Sequence, residues 1–207
     1  MRKRILATAY DVNPFKGSES GTGWNFAYQL SLHNHVTLIT RKNNRQEIER
    51  YIKENKINCD NLKVEYFDLN KFILKFKKGQ LLSFLYFNLW QLLLPVKFFK
   101  KRADFDVVHS INFHADHVPT FLWLLNKPLV WGPLSHNEII PIEILQNSTA
   151  ILKDRLGFLI KKLRWNFDPF IRLAIAKSTI ILGSRSQVKT RLRIPHNKFR
   201  FLSTISS

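Results

Sequence analysis

The residues YDVNPFKGSESGTGWNFAYQL, Tyr10 to Leu30, join an apolar run to a helical pattern. Ahead of them Ile5 to Tyr10 reads as a buried first strand; behind the loop Gly23, Phe26, Ala27 and Leu30 fall on one helical face. Asn13-Pro14 and Gly17 end the strand, and Ser18 or Ser20 caps the helix. Strand, loop and helix therefore follow one another, with the helix N–H groups and the positive end of its dipole facing the loop. Such a terminus suits an anion, above all a phosphate. The same glycines equally fit a tight turn that lets the helix pack on the sheet.

A dinucleotide fingerprint needs G-x-G-x-x-G close behind the strand. Here Gly21-Thr22-Gly23-Trp24-Asn25-Phe26 puts Phe at the third glycine, and Thr40 and Arg41 rather than an acid close the second strand. An NAD site is therefore not expected, and an NADP site using Arg41 is only a weak option.

The 207 residues are enough for one sizeable core, and 17 Phe with 45% hydrophobic residues exclude disorder. A net charge of +18 calls for an acidic partner, whether nucleotide phosphates, anionic lipid or nucleic acid, unless it is only a solvated basic surface. Cys59 is the single cysteine, so there is no internal disulfide or Cys-based zinc site, as suits a reducing cytoplasm. Met1-Arg2-Lys3-Arg4 leads straight into the strand without a signal-peptide apolar region.

Further along, His35–Thr40, Leu62–Phe67, Phe105–Ser110, Pro128–Trp131 and Ser178–Gly183 read as strands, with a last one from Phe199. Helical patterns occupy Arg45–Lys56, Ala115–Leu125, two basic stretches within Ile151–Lys177, and Ser184–Leu192. Strands this apolar, separated by helices, indicate an α/β fold: a Rossmann-like, mostly parallel sheet covered by helices on both faces.

Five segments, GSESGTGW, HVTLITRKNNRQEIE, DFDVVHSINFHADHVPTFLW, NKPLVWGPLSH and IAKSTIILGSRSQVKTRL, resemble in content and order the N-terminal domain of family 4 glycosyltransferases of the GT-B fold. The resemblance spans residues 4–203. It implies sugar transfer from a nucleotide-sugar to a glycan or lipid-linked acceptor, with no metal and no cofactor beyond that co-substrate. It also implies that residues 204–207 begin the crossover to a C-terminal donor-binding domain. The family's acidic donor motif has no counterpart here, so the expectation is an acceptor-binding half, inactive alone.

Carried onto this chain, the resemblance makes Gly17, Ser18, Gly21 and Gly23 the loop at the donor diphosphate, in agreement with the helix-terminus reading. Glu19 holds that loop or binds an acceptor hydroxyl. His109, at a strand's carboxyl end, is the candidate catalytic residue, able to polarise an acceptor hydroxyl, or else a hydrogen-bonded structural histidine. Asn112, Gly132, Ser135, His136 and Glu138 are the candidate acceptor contacts. Ser135 and His136 stand where the family has two glycines, which restricts close backbone approach. His114, His117 and His136 do not have metal-ligand spacing.

Two segments suggest membrane contact. Leu69 to Arg102 carries eight Lys/Arg and no acid around the core LLSFLYFNLWQLLL, whose 14 residues fall short of the roughly 20 a span needs. That core reads as an interfacial helix or as a helix packed on the sheet with snorkelling lysines. Within Ile151–Lys177, Leu152, Leu156, Leu159 and Leu163 form one stripe, opposed by Asp154, Gly157, Lys161 and Arg164. Lys161, Lys162 and Arg164 are its expected contacts to an anionic membrane, and the expected location is cytoplasmic, peripheral on the inner membrane face. A nucleic-acid partner is not expected, because no helix-turn-helix, RNP or zinc pattern is present. A non-catalytic membrane or partner-binding scaffold of Rossmann-like fold remains the alternative.

Overall fold

The computed structural model describes residues 1–70, 79–111, 115–135, 139–145 and 147–202, the side chains of Ser18 and Gln80 excepted. The expected sites Asn112, His136 and Glu138, the basic run 71–78 and the crossover 204–207 lie outside the described residues.

Seven parallel strands form one sheet: β1 (Arg4–Thr8), β2 (His35–Thr40), β3 (Leu62–Tyr66), β4 (Val107–Ser110), β5 (Leu129–Leu134), β6 (Ile180–Gly183) and β7 (Phe199–Phe201). Their order is β3-β2-β1-β4-β5-β6-β7. The chain therefore winds outward from β1 to β3, returns to β4 and winds the other way, leaving a crevice at the carboxyl ends of β1 and β4. The helices are α1 (Ser18–His33), α2 (Arg45–Glu54), α3 (Gly79–Phe98), α4 (Ser148–Phe167), α5 (Pro169–Lys177) and α6 (Ser186–Leu192).

Alternate residues of β1 serve different faces. Ile5 and Ala7 join Trp24 and Ala27 of α1 and Ile48 of α2, whereas Leu6 joins Tyr86, Phe87, Trp90, Leu94 and Phe98 of α3. A third cluster gathers Trp131 and Ile181 with Trp165, Ile171, Val188 and Leu192 beyond β5. Local chemistry explains the boundaries. Asn147 caps α4 by accepting from the Ala150 N–H at 2.8 Å. Asp168 caps α5 by accepting from the Phe170 N–H at 2.9 Å, with Pro169 in the first turn.

Two sequence expectations change. Ala115–Leu125 is not a helix; only a 3-10 turn at Leu122–Leu125 forms, because Pro119 disfavours helical geometry at Val118 and lacks the N–H a helix interior needs. β5 runs three residues further than expected, through Pro133, and its register with β6 shifts between Trp131 and Leu134, which accommodates a proline in a central strand.

The apolar core expected to span 14 residues is part of the 20-residue α3. With the turn that follows, it is long and apolar enough to cross a bilayer by length and composition alone. Its contacts assign it to the sheet. Trp90 is 1% exposed, stacks edge-on to Tyr10, and donates its indole N–H to the Phe67 carbonyl oxygen at 2.8 Å. Pro95, inside the helix, does not prevent Leu94 and Phe98 from reaching the core.

Trp90→Ala is expected to lower the free energy of unfolding by about 3–5 kcal/mol, whereas Leu81→Ala, at a position 71% exposed, changes it by less than about 0.5 kcal/mol in urea titrations. Equal, small effects would mean that α3 does not cover the sheet.

Candidate functional site

A cleft of about 450 Å³ opens at the crevice between β1 and β4. Tyr10 and Asp11 enter it from the end of β1, Arg41 from the end of β2, Ala115, His117 and Val118 from the loop after β4, and Ser83, Phe84 and Phe87 from α3. Its wall is therefore apolar and aromatic, with a carboxylate, an imidazole and a guanidinium converging on it, the usual make-up of a small-molecule site.

Each polar group is held from behind. Asp11 accepts a hydrogen bond from the Ser20 hydroxyl in the first turn of α1. Arg41, 9% exposed, pairs with Asp68 at 3.3 Å and lies over the Tyr10 ring, 4.7 Å from its centroid. Tyr86 donates to the same Asp68 carboxylate at 2.8 Å. Burial pushes the Tyr10 phenol up to about 12 and raises Tyr86 as well, where Asp68 adds to the effect, so both remain protonated at neutral pH. Asp116 is 1% exposed; its Oδ1 accepts from the Trp165 indole N–H of α4 at 3.0 Å and lies 3.7 Å from His117 Nδ1. The loop carrying this pair is tied to the end of β5 by the Asp116 N–H, which donates to the Ser135 carbonyl oxygen at 3.2 Å.

The expected residues distribute differently. His109 is 4% exposed, its ring edge-on to Phe26, and its Nε2 is 2.8 Å from the Gly132 carbonyl oxygen. Burial lowers its pKa to about 4, so the ring is neutral and donates that N–H. This is a correction: the imidazole points into the layer between sheet and α1, where it steadies β5, instead of facing the crevice. Gly132 is likewise a backbone position. It is buried with φ +119, and a Cβ there would sit on the Leu182 carbonyl oxygen of β6, so glycine serves sheet packing rather than acceptor approach. Ser135 contributes its backbone to the loop after β4.

Gly17, Ser18, Glu19 and Gly21 do lie at the start of α1, behind β1. Asn13 forms a turn by accepting from the Phe15 N–H at 2.9 Å, and the Lys16 carbonyl then packs so closely on Gly21 that any Cβ would strike it. Gly21 is thus required by the loop itself, as the tight-turn reading foresaw, and Gly23 is buried within α1. Gly17 has open space around it. Glu19 and Asp11 both stand at this first turn and offset part of the positive end of the dipole.

Sequence reasoning missed Asp11 and Asp116, weighed Arg41 only for an NADP phosphate, and considered His117 only as a metal ligand. The available signal was position: each follows a strand near the point where winding reverses. Among the described residues no group of three or more His, Cys, Asp or Glu is placed to hold a metal ion.

No protein-family model matches the sequence. No curated protein matches it either. Solved structures do. The Glycyrrhiza uralensis UGT73P12, in complex with glycyrrhetinic acid 3-O-monoglucuronide, superposes with a TM-score of 0.50 at 11% identity, over 93% of this chain and 47% of that one. A glycosyltransferase from Rickettsia africae ESF-5 gives 0.45 at 13% identity, over 97% and 42%. The chain thus spans about half the length of the structures it matches. Its seven parallel strands covered by helices form a Rossmann-like fold shared with about half of the UGT73P12 glycosyltransferase structure.

Gly21→Ala is expected to lower stability by about 1–3 kcal/mol through the clash with Lys16, and Gly17→Ala by less than about 0.5 kcal/mol, as read by thermal melts.

His109 adds a pH dependence. Its folded value, about 4, lies below the unfolded 6.5, so between these pH values the unfolded chain binds the proton first. Stability is therefore full above pH 6.5 and falls as pH drops toward 4, by about 3 kcal/mol in all. His109→Gln should flatten that part of the profile; equal slopes in both proteins would refute the buried neutral ring.

Proposed function

We propose that this chain is the acceptor-binding half of a family 4-like glycosyltransferase, moving a hexose from a nucleotide-sugar to a hydroxyl of a glycan or lipid-linked acceptor. The observation that carries the reading is the cleft at the β1/β4 crevice of a glycosyltransferase-like fold, where Asp11 and His117 converge on an apolar wall. In transfer the bond between the sugar anomeric carbon and the diphosphate breaks, the acceptor oxygen bonds to that carbon, and the hydroxyl proton must leave. His117, with Asp116 3.7 Å behind its Nδ1, is the group suited to take it, and Asp11 orients the hydroxyl. Arg41, partly neutralised by Asp68, binds an acceptor oxygen beside them. The start of α1, from Gly17 to Glu19, faces the diphosphate held by a C-terminal donor domain, and no metal takes part. Alone, the half binds acceptor without turning it over.

Saturation-transfer NMR of the chain with free and lipid-linked glycans tests the reading. Asp11→Asn and His117→Ala should each weaken binding about tenfold or more, the effect of losing a hydrogen bond to a charged or strongly polar group. Absence of glycan binding, or binding indifferent to both substitutions, favours the non-catalytic scaffold.

A further inference from the structure

α4 turns an apolar face to the outside. Leu152, Leu156, Leu159, Ile160, Leu163 and Phe167 are each exposed over half or more of their surface, up to 77% at Phe167, and recur at helical spacing along all five turns. The opposite face is satisfied: Phe158 and Trp165 pack edge-on in the core. Beside the stripe, the segment before α4 exposes Ile140, Ile142 and Ile144, and the Arg155 guanidinium approaches the Ile140 carbonyl oxygen at 3.5 Å.

Charge tells what covers this face. Lys153 and Lys162 are exposed and border the stripe on its two sides, with Arg155 next to Lys162 by helical period. Of the other basic residues of the helix, Lys161 is half-buried on the opposite side, and Arg164, which follows Lys153 by period, is taken up by Asp168 at 3.0 Å and lies over Phe84. Only Lys162 of the three cations expected from sequence is placed for contact, and Lys153 takes the place of the others. Charged residues every few positions also rule out a spanning helix here.

We infer that α4 and Ile139–Ile144 form a docking surface for an anionic lipid bilayer, the stripe lying at the acyl boundary and Lys153 and Lys162 among the headgroups. The chain's +18 charge directs it to the anionic cytoplasmic leaflet. The same helix carries Trp165, which holds Asp116 beside His117, so the membrane face and the cleft share one element. By extension the acceptor is lipid-linked; that clause rests on the transferase reading, whereas vesicle binding does not.

Flotation of the purified chain with phosphatidylcholine vesicles, with and without phosphatidylglycerol, tests it. Binding is expected only with the anionic lipid and weakens with salt. Lys153→Glu with Lys162→Glu should reduce partitioning by about thirtyfold or more. Lys3→Glu with Lys53→Glu, the same change in net charge elsewhere on the surface, should leave it nearly intact. Leu156→Ser with Leu159→Ser and Leu163→Ser should abolish binding while glycan binding and the circular dichroism spectrum persist. Equal losses in the two charge-reversed pairs, no preference for anionic vesicles, or a dimer that Leu159→Ser dissociates would each overturn the inference.

Discussion

Parallel strands cannot be joined by hairpins, so every connection in this sheet has to cross one of its faces, and a face left bare would expose apolar strand residues to water. That constraint organises the molecule. It explains why β1 sends Ile5 and Ala7 to α1 and α2 and Leu6 to α3, and why α3 is apolar enough to resemble a membrane span while burying Trp90 and Leu94. Winding outward in both directions from β1 then leaves one place where loops diverge, and the cleft forms there.

Buried polar groups give the cleft its geometry. An unpaired carboxylate in the interior is unfavourable, so Asp116 is met by the Trp165 indole and by His117, and this fixes α4 against the loop after β4. Asp68 does the same on the other side, joining Arg41, which lines the cleft, to Tyr86 of α3 behind it. His109 and Gly132 act below the site: a neutral imidazole donating to a carbonyl oxygen holds β5 where its register shifts, and Ser135 at the end of that strand holds the loop that carries Asp116. A histidine next to a crevice thus serves it through the backbone.

The outer face of α4 stands apart from this economy of burial. Soluble helices place their leucines inward, whereas here Trp165 and Phe158 suffice for packing and the leucines remain outside. In the membrane contact inferred above, the acyl boundary takes up the stripe, which water does not satisfy, and the headgroups meet the lysines that border it.

The sequence by itself determined the fold class. Apolar runs such as His35–Thr40, the turn residues of the first loop and the spacing of α2 are local signals, and six of the strands, with α2 and α6 among the helices, lie within about two residues of their expected ends, a normal uncertainty for such boundaries. The leucine stripe of α4 was also legible, because periodicity needs no knowledge of partners. Tertiary structure alone decided which residues face what. Asp116 finds Trp165 across 49 residues and His109 finds Gly132 across 23, and neither pairing leaves a trace in spacing. Lys161 and Arg164 look equivalent to Lys162 in sequence; their difference arises when Trp165 sets the rotation of α4 and Asp168 takes up Arg164. Side-chain direction is settled by packing between distant segments, and that is why the elements were readable and the site was not.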